Sequence, residues 1–495
     1  MIAKTLAFIF AFSLPILLTR SLSQNEYGLF KQAFLLITTA TSLLPLGFSM
    51  SAFYYLPRET DAKRRGQIIL NILLFNLIMG AAACLLLVFW PGIIANIFKD
   101  PTIPTYSSLV GVVILLWLFS AFIETAAVAN QELKLATIFI VAGQLTRTIL
   151  LLAAAIAFDT VEALIYAALI HGVIQSIALL WYVSSRFPGF WRGFDWSLTM
   201  KQVAYALPFG LAGLLYTIQT DLHNYFVSNR FSAATFAVYS IGVAQLPFVG
   251  ILRDSVSQVI LPRISYLQEQ GQAREIVVLL ANAIRKLAAV YLPLYVFLMI
   301  TGREFLTVMF TAAYAASWPI FAINLTLLPL SLLEVDAVVR AYEKHRYYLV
   351  KVQIVLSIVM VVALWFAISR FGLIGAISVV VLIQLLLRIS LAIKFGGVLG
   401  TKLRDFLLLK DVGKIAVAST AAGLLCLFVR SVLIANRTKP IIVLAVCSIT
   451  FAAIYLPAIL LLRVPTSDER EKVRGGVERL QQLVYPGRRS ANSVP

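Results

Sequence analysis

Charged side chains are scarce in this sequence. Asp, Glu, Lys and Arg make up 13% of its 495 residues, about half of what a soluble domain carries, and that excludes a water-soluble globular fold. Cysteine is scarcer still, with only Cys84, Cys426 and Cys447 present. All three lie inside apolar runs, which excludes a disulfide framework or a thiolate metal site and leaves packing as their role. Long polar stretches are missing too. The largest lie around 184–202, 262–286 and 394–414, too short for a folded extramembrane domain. Also absent are a phosphate-cradling glycine loop, a metal-ligand cluster and a nucleophile elbow. The chain is therefore expected not to be an enzyme and to need no cofactor or metal.

What is present is apolar. Hydrophobic residues make up 60% of the chain and its mean hydropathy is +0.90. Runs of about 20 apolar residues recur from end to end, each long enough to cross a hydrocarbon core of roughly 30 Å as a helix. Backbone groups in lipid must be satisfied within each segment, so the expected fold class is all-α, a polytopic membrane protein. The pattern predicts fourteen spans, the first seven at 3–20, 30–54, 68–90, 106–130, 137–158, 161–183 and 203–227. The others are 236–260, 287–302, 318–340, 350–369, 373–393, 415–435 and 441–462. Met1–Lys4 followed by Thr5–Leu18 has the outline of a signal peptide. No small-x-small cleavage site follows it, and Arg20 sits where cutting would occur, so an uncleaved first span is expected.

Basic residues near span ends stay in the cytoplasm. A cytoplasmic N-terminus gathers Arg58, Lys63, Arg64, Arg65, Arg186, Arg192, Lys402, Lys410 and others on that side. It leaves Arg20, Lys31, Lys99, Arg230, Arg303, Arg370, Arg430, Arg437 and Lys439 opposite, so both termini are expected in the cytoplasm. The net charge of +18 is spread over many loops rather than gathered in one patch, so no nucleic-acid partner is implied. The segments 262–286 and 394–414 read as amphipathic linkers at the membrane surface. In the tail, Thr466 with Glu469 fits a capping box, and Val473, Val477, Leu480 and Val484 share one helical face.

The chain repeats itself. Arg20-Ser21-Leu22-Ser23 with Tyr27-Gly28-Leu29-Phe30 returns about 209 residues later as Arg230-Phe231-Ser232 with Phe236-Ala237-Val238-Tyr239. Glu124 and Lys134 match Glu334 and Lys344, and Leu164-Ile165 with Gln175 matches Leu373-Ile374 with Gln384. Six spans return the chain to the side it left, so the copies are parallel and related by an axis along the membrane normal. The expected organisation is two pseudo-symmetric six-helix bundles, 1–190 and 191–400, additional helices at 401–465 and a cytoplasmic tail at 466–495.

With Glu26-Tyr27-Gly28-Leu29-Phe30, Phe53-Tyr54-Tyr55-Leu56-Pro57 and Arg370-Phe371-Gly372-Leu373-Ile374-Gly375-Ala376 in this order, the chain resembles a polysaccharide flippase of the multidrug/oligosaccharidyl-lipid/polysaccharide exporter superfamily. That resemblance implies flipping of a lipid-linked oligosaccharide or repeat unit, on undecaprenyl diphosphate in bacteria, across the cytoplasmic membrane by alternating access. It also implies work beside glycosyltransferases and a glycan polymerase. Two other readings are a cation-coupled exporter of small organic molecules and a membrane polysaccharide polymerase or ligase.

An anionic headgroup crossing the membrane needs a wet cleft with a few cations, and ionisable residues within spans are costly enough to suggest function. Arg147 is the first candidate for the phosphates, the other reading being an ion pair with Glu124. Arg253 either lines the cleft or is neutralised by Asp221 or Glu334. Its neighbour Asp254 points about 100° away on a helix and is expected to have a different partner. Arg20 and Lys31 flank the outer mouth, as phosphate contacts or as snorkelling interface residues. Asp221 and His223 form a proton- or cation-sized cluster for ion coupling, with Glu124 and Glu334 as further candidates, or belong to a structural polar network. Tyr54, Tyr55, Tyr216, Tyr225 and Tyr239 are candidates for stacking on sugars, and Pro208 with Gly210 and Gly213 for a hinge.

Overall fold

A computed structural model of the chain describes residues 2–333, 338–339, 342 and 346–465. Glu334, Asp336, Arg340, Lys344 and the tail with its expected helix lie outside them. Every regular element among the described residues is a helix. Those of eight residues or more in the first repeat are α1 (Ile2–Ser21), α2 (Gln24–Leu43), α3 (Ala62–Phe89), α4 (Ser107–Ser120), α5 (Phe122–Ala129), α6 (Leu133–Phe158) and α7 (Val161–Arg186). The second repeat supplies α8 (Trp196–Arg230), α9 (Ala233–Gly242), α10 (Pro247–Glu269), α11 (Ala273–Phe310), α12 (Trp318–Leu325) and α13 (Arg346–Val398). The additional helices are α14 (Lys410–Ala435) and α15 (Pro440–Leu461).

By length and composition ten helices among the described residues can cross a membrane, or eleven if the bent pair Gln24–Leu43 and Phe48–Arg58 is one span. This is an integral membrane protein. The difference from fourteen has local causes. The eleventh and twelfth expected spans lie in α13 as two helices folded back on each other at Gly372, whose φ/ψ of 58°/−136° is not helical. The Tyr348 hydroxyl of one arm lies 2.7 Å from Ser390 of the other, and the count of ten takes this hairpin once. The eighth is broken. α9 stops at Gly242, and Leu246 is extended before Pro247 opens α10, where a missing N–H costs nothing. The 262–286 linker is not a loop: α10 runs to Glu269 and α11 starts at Ala273. Only the short turn around Gly271, at φ 69°, interrupts residues that otherwise favour helix.

One capped helix start occurs twice, at positions that the expected repeat pairs. Ser23 and Ser232 cap α2 and α9 with φ/ψ of −63°/160° and −63°/159°. Each hydroxyl accepts a hydrogen bond from the N–H three residues on, at Glu26 and Thr235, satisfying one orphan donor of the helix start. The two capped starts then pack on each other. A Cβ added to Gly28 would lie 1.9 Å from the carbonyl oxygen of Ala233, so only glycine permits this approach. It is here that the two repeats meet, in a core that joins Tyr27, Phe30 and Ile37 to Ala237, Phe310 and Tyr314.

The opening turns of α8 are held by the first repeat, since Gln202 accepts from Asn71 at 3.0 Å and donates to Ser51 at 3.1 Å. Pro208 leaves α8 a single 35-residue helix. Gly210 serves packing: a Cβ there would lie 2.2 Å from the Leu46 carbonyl oxygen. The additional helices dock on α11. Arg430 donates to Glu304 at 2.7 and 3.0 Å, Tyr455 donates to the Ala289 carbonyl at 2.7 Å, and the free thiols Cys426 and Cys447 are buried between α14 and α15.

Candidate functional site

The intramembrane charges divide into a cationic cluster in the first repeat, a polar cavity in the second, and a seam joining the repeats. In the cluster, α6 carries Arg147 across the rings of Trp117 on α4 and Phe34 on α2, with its guanidinium carbon 4.6 and 5.6 Å from the centroids. Desolvated contacts of this kind are worth up to about 2 kcal/mol. They hold the charge without cancelling it. Among the described residues Arg147 forms no ion pair, and its Nε is buried without a hydrogen-bond partner. Glu124 is exposed in the first turn of α5 and engaged elsewhere, so the expected Glu124–Arg147 pair is not formed.

Lys31 joins Arg147 rather than Arg20. Its ammonium lies 5.8 Å from the Tyr27 centroid, one helical turn before the Phe34 ring that Arg147 covers, and it forms no ion pair among the described residues. Two further groups near these cations have unmet hydrogen-bonding capacity. Gln32 is fully buried with neither amide atom bonded, and Nδ1 of His171, whose ring lies 5.6 Å from Trp117, is buried and unpartnered. Two cations and two open polar side chains therefore share one region of the interior. The sequence could have indicated this: Trp117 and Arg147 are both rare residue types within long apolar runs.

Arg20 stands elsewhere. It donates to the Val308 carbonyl at 2.7 Å, Gln24 donates to the Ala313 carbonyl at 2.6 Å, and Asn229 donates to the carbonyls of Asn96 and Ile97 at 3.0 and 2.8 Å. These bonds close the repeats on each other at the end of the molecule where Gly28 meets Ala233.

Arg253 lines the polar cavity, and it bonds the very neighbour that was expected to have a different partner. Its Nε is 3.4 Å from Oδ1 of adjacent Asp254; the long side chain curls back across the angle that separates neighbouring Cβ atoms. Asp221 and His223 also part company. Asp221 accepts from Thr39 of α2 at 3.3 Å, while Nδ1 of buried His223 lies 2.8 Å from the Tyr239 hydroxyl. Residues two apart on a helix point about 200° from each other, and each meets a different neighbour. Glu334 lies outside the described residues. Of the candidate tyrosines, Tyr239 is buried with His223, Tyr225 stacks on Phe98, and Tyr54 and Tyr55 pack with Tyr205. Tyr216 is open to the cavity.

That cavity has a volume of about 740 Å³. It is walled by α8, α10, α12, α13 and the turn after α9, and it includes Arg388 and several glutamines that the sequence reading passed over. Their signal was spacing. Tyr216, Gln219, Thr220 and His223 recur at i, i+3, i+4 and i+7, the period of one helical face.

A family model described as polysaccharide biosynthesis protein matches residues 17–319. No curated protein matches the sequence. Among solved structures the chain is similar to the lipid II flippase MurJ in an inward closed conformation, at 15% identity and a TM-score of 0.72, with 93% of this chain and 98% of that one covered. It is similar also to an inward-facing multidrug resistance MATE family transporter of the MOP superfamily, at 15% identity and a TM-score of 0.58, covering 82% and 96%. A MOP superfamily transporter from Pyrococcus furiosus, described by a binding pocket of reverse polarity, aligns at 14% identity and a TM-score of 0.53, covering 82% and 94%. What is shared at these identities is the fold.

Proposed function

Because the chain belongs to the polysaccharide biosynthesis protein family, we propose that it translocates a polyprenyl-diphosphate-linked oligosaccharide or repeat unit across the bacterial cytoplasmic membrane by alternating access. The observation that carries this reading is the Lys31–Arg147 pair. Lys31 lies one turn before the Phe34 ring that Arg147 covers, with no acid paired to either cation among the described residues. Two such cations on one side of α2 in a membrane interior destabilise the empty protein. A diphosphate relieves that cost, since its oxygens accept charge-assisted hydrogen bonds from a guanidinium and an ammonium. The polyprenyl tail stays in lipid while the hydrated headgroup passes between the repeats. With the orientation expected from the loop charges, the Arg20 and Gln24 seam is the outer gate in its shut state, and release outward breaks those bonds.

The likeness in fold to a lipid II flippase supports the same reading. An exporter of organic cations is disfavoured by the same pair, which repels a cationic cargo. The test is export of lipid-linked glycan in cells carrying Arg147→Ala or Lys31→Ala, with the membrane level of each variant measured. Loss of export at normal levels is the expected result. Normal export from both variants overturns the headgroup assignment.

A further inference from the structure

We propose that the cavity of the second repeat is a glycan subsite, binding the uncharged hydroxyls of the cargo while Lys31 and Arg147 hold its diphosphate. This deepens the flippase reading and rests on it. The cavity wall is built for neutral hydrogen bonding. Gln353 and Gln384 of α13 are half-buried, Gln258 of α10 and Gln245 before it are exposed to the space, and the side-chain amides of all four make no hydrogen bond to the described residues. Each primary amide offers two donors and one acceptor oxygen. Neighbouring hydroxyls on a sugar ring, one donating and one accepting, match that set. An interior amide without a protein partner must be satisfied by water or cargo.

The charges at the same wall are occupied. Arg253 bonds Asp254, and Arg388 has an interaction of its own, so the cavity favours neither a diphosphate nor an organic cation. Tyr216 is 61% exposed and its ring packs against no other aromatic or cationic group among the described residues, which leaves an apolar face for the C–H side of a sugar ring. A volume of about 740 Å³ lies within the roughly 300–1,000 Å³ of small-molecule sites and accommodates a short glycan. Phosphate in one repeat and sugar in the other make the cargo a bridge between the two bodies that alternating access must move.

The experiment measures binding of two lipids to the full chain in nanodiscs: undecaprenyl diphosphate alone, and undecaprenyl diphosphate bearing a neutral disaccharide. Wild type is expected to bind the glycosylated lipid about tenfold more tightly, the worth of one or two net hydrogen bonds. Gln353→Leu with Gln384→Leu erases that preference and leaves affinity for the bare lipid unchanged, which also certifies the variant's fold. Gln353→Asn with Gln384→Asn, polar but one methylene shorter, reduces the preference should the leucine pair fail to reach the membrane. Arg147→Ala weakens both lipids alike. Equal wild-type affinity for the two lipids, or a preference retained by the double variants, overturns the subsite and leaves the flippase reading standing. Failure of wild type to bind either lipid overturns both.

Discussion

The contact between the repeats at Gly28 gives the sharpest mechanical prediction. In Gly28→Ala the new Cβ would sit 1.9 Å from the Ala233 carbonyl oxygen, where ordinary contact begins at 3.4 Å. The obstacle is backbone, so no rotamer relieves it, and α2 and α9 must separate by about 1.5 Å or the seam must open. Overpacking of this kind costs about 1–3 kcal/mol. The helix-propensity gain of alanine over glycine, about 1 kcal/mol, applies to open and closed states alike and cancels from their ratio. The closed population should therefore fall by about 5–150-fold. The assay is cross-linking of Gln24→Cys with Ala313→Cys by a short bis-thiol reagent, with Cys84, Cys426 and Cys447 replaced by alanine. The parent pair links readily, since the Gln24 amide already bonds the Ala313 carbonyl at 2.6 Å. Adding Gly28→Ala should cut the yield sharply. An unchanged or higher yield would refute the argument that this seam is a close-packed gate.

Other expectations follow from single contacts. Arg430→Ala leaves Glu304, which is mostly buried, without its bidentate partner, and should destabilise the chain by about 3 kcal/mol. Glu304→Leu with Arg430→Met should recover most of that in thermal unfolding. His223→Leu strands the buried Tyr239 hydroxyl and should cost about 1–3 kcal/mol, while Tyr239→Phe with His223→Leu costs less than the single change. Trp117→Ala removes the ring beneath Arg147. It should lower the membrane level or glycan export, and Trp117→Phe, which keeps a π face, should retain more of both.

Much of the fold was legible because hydropathy is local. A helix in lipid reports its surroundings residue by residue, so 60% apolar content and the recurrent runs were enough for an all-α membrane protein. Ser23 and Ser232 were legible as a repeated motif, while their role as caps of α2 and α9 came from the structure. The number of spans was less legible, because the chain breaks for reasons beyond hydropathy. Pro247 restarts a helix that composition alone would continue, and Gly372 turns α13 back on itself.

The site was legible as a set of residues and not as an arrangement. Sequence named Arg147, Lys31, Arg20 and Arg253, because a charge inside a span is expensive wherever it points. It could not say that Arg147 would lie over Phe34, one turn from Lys31, while Arg20 reached a carbonyl of α11. Nor could it say that Arg253 would bend back to Asp254, or that Asp221 and His223 would serve different neighbours. Those outcomes depend on the rotation of each helix about its axis and the depth at which it meets its neighbours. Packing between segments hundreds of residues apart sets both, through close approaches such as Gly28 on Ala233 and Gly210 on Leu46. By itself the sequence determined which helices form and what they carry. Only the tertiary structure decided which charges meet, because pairing is a property of the contact between helices and no single helix contains it.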